Sequence, residues 1–222
     1  ESINKKKIIE SKNNNNDIKK EKSIKKIIKI KNNICFELCK ETTKILKYKQ
    51  SELSNIKWTN GESNLDTEYS ELSCKCCELA WIEIKKKYPE YNEIEINCQK
   101  PDINITFVYP NKDEEKFKIE LKSSKSEKMI GSTIRKLDIN QPLIYCLRPN
   151  NNEDIYKIRC SQYHSAMGES DFDTFQDRTP RPVINFNKMK DIDETITFEN
   201  KTKSSWIDHY AKSAIYRINN SN

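Results

Sequence analysis

PDINITFVYPNKDEEKFKIELK, residues Pro101–Lys122, is the stretch on which the fold reading turns. Ile103, Ile105, Phe107 and Tyr109 alternate with Asn104, Thr106 and Val108. After Pro110-Asn111-Lys112-Asp113 the alternation resumes, with Phe117, Ile119 and Leu121 set against Lys116, Lys118, Glu120 and Lys122. Period-2 patterning on both sides of a turn-like tetrad predicts a hairpin of two half-buried strands. Centring that hairpin on Lys112 places Asp102 opposite Lys122, Asn104 opposite Glu120, and Asp102 diagonal to Glu120. Diagonal neighbours lie roughly 7–8 Å apart at Cα, within reach of a shared ion. Glu120 and Lys122 are two apart and point the same way. The apolar faces then pack inward together and leave two carboxylates and an ammonium on the other side.

That trio suggests a chemistry. Two carboxylates can hold a divalent cation against a phosphate, and an adjacent lysine can orient or help deprotonate a water and steady charge developing on phosphorus. The bland alternative is a solvated strand face, since ExK triplets come easily to a chain with 33% charged residues.

Pro101-Asp102, followed eighteen positions later by Glu120-Leu121-Lys122, resembles the signature of the PD-(D/E)xK nuclease superfamily. The resemblance spans about Glu68 to Arg148 and is nearest to the type II restriction endonucleases, because no helicase or ATPase motif accompanies it. It implies an α/β (α+β) fold, a restriction-endonuclease-like core with a central mixed β-sheet flanked by helices. It also implies Mg²⁺ held by Asp102 and Glu120, with the Leu121 carbonyl as a further oxygen, and Lys122 beside the attacking water. An acidic residue on the helix before the PD strand joins the metal site in many such proteins; Glu78 is the candidate here and Glu71 the reserve. Double-stranded DNA as substrate, a homodimer that cuts both strands, and a DNA methyltransferase in the same system are further expectations.

Composition fits a nucleic-acid partner without demanding one. The 222 residues suffice for one domain with a real core. Forty basic against 34 acidic residues give a net charge of +6, a mild excess suited to an enzyme that must release its DNA. Three glycines, Gly61, Gly131 and Gly168, exclude a Walker or dinucleotide-binding loop. Two histidines argue against a nuclease built on a histidine base and a histidine-bound metal. No apolar run reaches membrane length and no secretory signal is visible, so a cytoplasmic chain with no membrane partner is expected. Eight cysteines then read as reduced thiols. Cys35, Cys39, Cys74, Cys76, Cys77 and Cys98 could be combined into a zinc site. The Cys74-Lys75-Cys76-Cys77 run falls in a helix where neighbouring side chains diverge, so small buried hydrophobes are the better reading.

The chain divides into a basic N-terminal region (1–66), a core carrying both motifs (67–149) and a C-terminal part of the same domain (150–222). Residues 3–31 read as a charged helix or arm, Asn32 to Lys49 as an amphipathic helix, and Thr67 to Tyr88 as a long helix closed by Pro89. Ile94 to Cys98, Leu143 to Leu147 and Ile155 to Cys160 read as strands. Ser126 to Lys136 reads as a helix bringing Lys125, Lys128, Arg135 and Lys136 to the scissile-strand phosphates. Residues 161–165 and 177–182 read as donor-rich loops, with Gln162, Arg178 and Arg181 as base-reading candidates. Ser204 to Ile218 completes the chain as an amphipathic helix. Two other readings remain open at this level: a repair, recombination or junction-resolving nuclease that reads DNA shape, and a non-enzymatic DNA-binding protein whose Asp102, Glu120 and Lys122 form a structural ion pair.

Overall fold

The computed structural model describes residues 27–58, 67–91, 94–99, 102–108, 114–132, 138–151, 155–173, 181–191, 196 and 198–202, with isolated positions near the C-terminus. A five-stranded mixed sheet forms the centre. Its strands are β1 (Ile94–Gln99), β2 (Asp102–Val108), β3 (Glu114–Ser124), β5 (Pro142–Leu147) and β6 (Lys157–Gln162), in the order β1-β2-β3-β5-β6. All neighbours are antiparallel except β3 and β5. The chain between that parallel pair supplies β4 (Lys128–Ile130), which joins β7 (Met167–Asp173) and β8 (Arg181–Asn185) in a second sheet of order β4-β8-β7.

Strand parity decides which core each residue enters. On one face of the large sheet, Ile103, Ile105, Phe107, Ile119, Leu121, Ile144, Cys146, Ile158 and Cys160 pack with the helices. Those helices are residues 27–47 (α1), Gln50–Ser54 (α2) and Thr67–Ile84 (α3). Helix α1 contributes Ile34, Leu38 and Leu46, the i, i+4 and i+12 positions of an amphipathic stripe; α3 contributes Tyr69, Cys76, Cys77, Ala80, Trp81 and Ile84. On the other face Leu143, Tyr145 and Tyr163 meet Ala166, Ile184, Phe186 and Met189 around the small sheet. Burying these apolar faces is the main force holding the layers, at about 25 cal/mol per Å² of apolar surface removed from water.

The described region is therefore mixed α and β, with helices on one face of a mixed sheet. No helix among the described residues is long and apolar enough to cross a membrane. The segment from 126 onward departs from the expected helix: Lys128–Ile130 is a strand, paired antiparallel with Val183–Asn185. Met129 and Ile130 are partly buried there, and Tyr145 Oη donates to the Ser126 carbonyl at 2.6 Å, tying the turn to β5. Tertiary pairing has overridden a local charge pattern that suits either state.

Residues 198–202 form a strap across the sheet end. Phe198 stacks on Phe36 at 4.2 Å, and Asn140 exchanges two hydrogen bonds with the Lys201 backbone. His164 lies beneath the strap, its Nε2 at 2.9 Å from the Glu199 carbonyl. A carbonyl only accepts, so Nε2 carries the hydrogen, and Nδ1 accepts from the Ser165 hydroxyl at 3.1 Å. Burial pushes the His164 imidazole below its ordinary 6.5, and Lys201 adds to the effect. A lowered folded value means that this stabilisation is complete above pH 6.5 and is lost as pH falls through the folded value. Denaturant unfolding at about pH 7.5 and about pH 5 is expected to show a loss on acidification that His164→Gln reduces. An identical pH slope in the variant would remove His164 as the cause.

Candidate functional site: a two-carboxylate, two-lysine cluster on β2 and β3

The β2–β3 ladder pairs Ile103 with Ile119 and Asn104 with Lys118, so the hairpin is centred on Asn111 and not on Lys112. A two-residue shift preserves strand parity, so the polar and apolar faces stay as the sequence pattern placed them. It changes who meets whom. Asp102, the first residue of β2, comes level with Glu120, and the Leu121 amide donates to Asp102 Oδ1 at 3.2 Å. Lys118 becomes the diagonal neighbour and reaches Asp102 Oδ2 at 2.6 Å. Lys122 reaches Glu120 Oε1 at 2.6 Å.

Both acids are buried, with Asp102 7% and Glu120 3% exposed. Buried carboxylates are tolerated only when paired and hydrogen-bonded, and each of these is. Glu120 is held from three directions: Lys122, the Ser132 hydroxyl donating to Oε1 at 2.9 Å, and the Gln141 amide at 3.5 Å from Oε2. Ser132 is itself fixed, because its backbone amide donates to Tyr163 Oη at 2.6 Å. Burial pushes the Tyr163 phenol up, reinforced by the negative charge of Glu120 and, more weakly, of Asp102. Tyr163 therefore stays a neutral hydroxyl under the acids. Two carboxylates and two ammonium groups leave the cluster with no net charge.

Solvent enters beside it. A cleft of about 390 Å³ is lined by Lys118 and Gln141, which contact the two acids, and by Asn32, Phe36, Glu115 and Asn140. The lysine side chains lead outward, Lys122 18% and Lys118 43% exposed. Asp102, Glu120 and Lys122 are not among the residues that line it, so the cleft reaches the acids only through Lys118 and Gln141.

Asp102, Glu120 and Lys122 are thus brought together, while the other expected site residues are not. Glu78 and its reserve Glu71 are exposed on α3. That helix packs with Ile103 and Leu121, on the face away from Glu120, so neither glutamate joins the acids. Gln162 is 1% exposed rather than set in an open loop. Its Oε1 accepts from the Glu199 amide at 2.8 Å, and its Nε2 donates to Asn200 Oδ1 at 3.1 Å and to the Asn140 carbonyl at 3.4 Å, so its amide anchors the strap with both N–H donors spent inside the fold. Lys125 and Lys128 are exposed, beyond β3 and at the start of β4. Arg181 is half-buried in β8, opposite Asp173. Arg135, Lys136, Arg178 and Pro101 lie outside the described residues, as do Trp206 and Tyr210 of the expected terminal helix.

Sequence reading missed Lys118 and Gln141 as partners of the acids, and Tyr163 as the residue that fixes Ser132. Lys118 carried a signal, since it shares strand parity with Glu120 and Lys122. Gln141 and Tyr163 come from β5 and β6 surroundings that no local pattern connects to β3.

Among the described residues, no group of three or more His, Cys, Asp or Glu side chains converges as a metal site. Cys35, Cys39, Cys76, Cys77, Cys146 and Cys160 are buried thiols outside any disulfide, as small hydrophobes would be. Cys74 departs from the all-reduced expectation by being disulfide-bonded.

No protein-family model, curated protein or solved structure matches the chain.

Proposed function

We propose that the chain is a metal-dependent phosphodiesterase acting on nucleic acid, with Asp102, Glu120 and Lys122 at its reacting centre. Within that class the reading is narrower: a PD-(D/E)xK endonuclease of the type II restriction kind, cutting double-stranded DNA as a homodimer. The observation that carries it is the convergence of two buried carboxylates from adjacent strands beside a lysine two residues on. The donor set fits a hard divalent cation, which takes oxygen ligands and retains waters. When bound, Mg²⁺ would supply Lewis-acid polarisation and an activated water.

The chain's own residues do the rest. Asp102 and Glu120 would hold the cation. Ser132 and Gln141 fix the Glu120 carboxylate, which is the preorganisation a charged transition state rewards. Lys122 stands beside Glu120 with three donors, placed to hydrogen-bond a phosphate oxygen or the attacking water. Lys118 balances Asp102. Because an ammonium occupies that carboxylate, it competes with any cation for it. Lys118→Gln is therefore expected to tighten Mg²⁺ activation several-fold, read as the half-saturating Mg²⁺ concentration for cleavage. An unchanged midpoint would show that Lys118 does not compete.

The burial of Gln162 favours a second reading of the same centre, in which the nuclease recognises DNA shape with few base contacts. The lysine pairing of both acids favours a third, a binding protein whose cluster is purely structural. Incubating circular duplex DNA and a branched junction with the chain, in Mg²⁺ or in EDTA, separates all three. Discrete fragments from the duplex support the restriction reading. Preferential cutting of the junction supports the shape reader. Binding with no Mg²⁺-dependent cutting supports the structural cluster and ends the enzymatic proposal.

A further inference from the structure

A second basic feature lies at the carboxyl ends of the parallel strands β3 and β5, away from the acids. Here Lys125, Leu147, Arg148, Asn150 and Lys157 line a cleft of about 360 Å³ together with Glu127. The carboxyl ends of parallel strands are a recurrent location for ligands in α/β sheets. Arg148 is its fixed point. Its guanidinium stacks on Trp58 at 4.9 Å, and Trp58 is held in turn by Tyr156, through ring stacking and an Nε1–Oη hydrogen bond of 3.1 Å. The Arg148 backbone amide donates to the Ser124 carbonyl at 2.7 Å. Yet Arg148 Nε is buried with no hydrogen-bond partner among the described residues. A guanidinium held in place with a donor unspent suits an anion that accepts from a planar fork. The acid in the cleft is already engaged, since Glu127 Oε2 accepts from Asn187 Nδ2 at 2.6 Å. Lys125 and Lys157 are exposed and add two cations at the rim.

We infer that this cleft binds a backbone phosphate of the nucleic acid, at a site separate from the reacting centre. The inference rests on the reading of the chain as a nucleic-acid enzyme. Lys125 stands one residue beyond β3 and five positions after Glu120, about 16 Å along the strand direction at 3.3 Å per residue.

The test is binding without cutting. Asp102→Asn protein in EDTA is titrated with a labelled duplex of about two turns, ~21 base pairs, across a range of salt. Parallel titrations use inorganic phosphate and a nucleoside 5′-monophosphate. Arg148→Gln and the exposed pair Lys125→Gln/Lys157→Gln are compared in the same background; the lysine pair keeps the test informative if loss of Arg148 disturbs Trp58. The expected result is duplex affinity weakened about three- to tenfold, with a salt slope shallower by about one for each phosphate no longer neutralised. Duplex affinity and slope unchanged in the lysine pair overturn the inference, as does loss of inorganic phosphate or monophosphate binding alone, which would mark a small-anion site. Wild-type chain that cuts while the variants bind normally removes the cleft and keeps the nuclease. Variants that bind weakly in a chain that never cuts remove the nuclease and keep the cleft.

Discussion

Asp102→Asn is expected to lower Mg²⁺-dependent cleavage about 10³-fold while leaving the fold in place. The size follows from deleting one of the two proposed anionic ligands in a preorganised site, where a single stabilising group is worth about 10²–10³ in rate. The fold should survive because asparagine keeps the side-chain volume, and its carbonyl can still accept from the Leu121 amide. Lys118, left without its acid, is 43% exposed and can turn to water. Glu120→Gln is expected to lose as much activity but to fold less well. Lys122, only 18% exposed, would then be stranded beside a neutral amide, and breaking a buried pair from one side costs about 3–5 kcal/mol before any solvent relief. Single-turnover cleavage with thermal denaturation of each variant checks both statements. Asp102→Asn protein that cuts at the wild-type rate would remove Asp102 from the chemistry.

Gly131→Ala is expected to be the most damaging single methyl in the described structure. An added Cβ would lie 2.1 Å from Tyr163 Oη and 3.0 Å from both Tyr163 Cζ and the Pro182 carbonyl. Neither neighbour can give way easily. Tyr163 is fully buried, and Pro182 belongs to β8, where its carbonyl accepts from the Gly131 amide at 2.8 Å. Overpacking of this kind costs about 1–3 kcal/mol, and at about 2–4 °C per kcal/mol for a chain of this size the midpoint should fall by about 2–12 °C. The damage also reaches the acids, because Tyr163 Oη receives the Ser132 amide and the Ser132 hydroxyl holds Glu120. A second expected result is therefore a lower cleavage rate at temperatures where the variant is still folded. A melting midpoint unchanged from wild type would show that the Tyr163 ring can move aside.

The hairpin was legible because both its strands alternate strictly, and alternation alone fixes which residues share a face. That sufficed to place Asp102, Glu120 and Lys122 on one side of the sheet. It did not suffice for the register, which the turn controls, and the difference between Lys112 and Asn111 as centre decides whether Lys122 or Glu120 comes level with Asp102. The long helices were legible for the same reason at a different period, as Ile34, Leu38 and Leu46 show. Lys128–Ile130 was misread because three residues carry no period that separates a helix from a strand, and their partner, Val183–Asn185, lies more than fifty residues away. Gln162 was misread for a related reason. A polar residue after a strand looks like a surface donor until a distant segment, here Glu199 and Asn200, takes its amide. Glu78 failed on geometry: its helix lies on the sheet face away from Glu120, a fact that helical periodicity does not contain.

The most direct test of the two-carboxylate centre is to locate a divalent cation in it. Crystals of the chain soaked in Mn²⁺ and measured at a wavelength with strong manganese anomalous signal should show a peak touching both the Asp102 and Glu120 carboxylates, absent from Asp102→Asn crystals. A fully occupied manganese peak elsewhere, with Lys118 and Lys122 still seated on those two acids, would contradict the account.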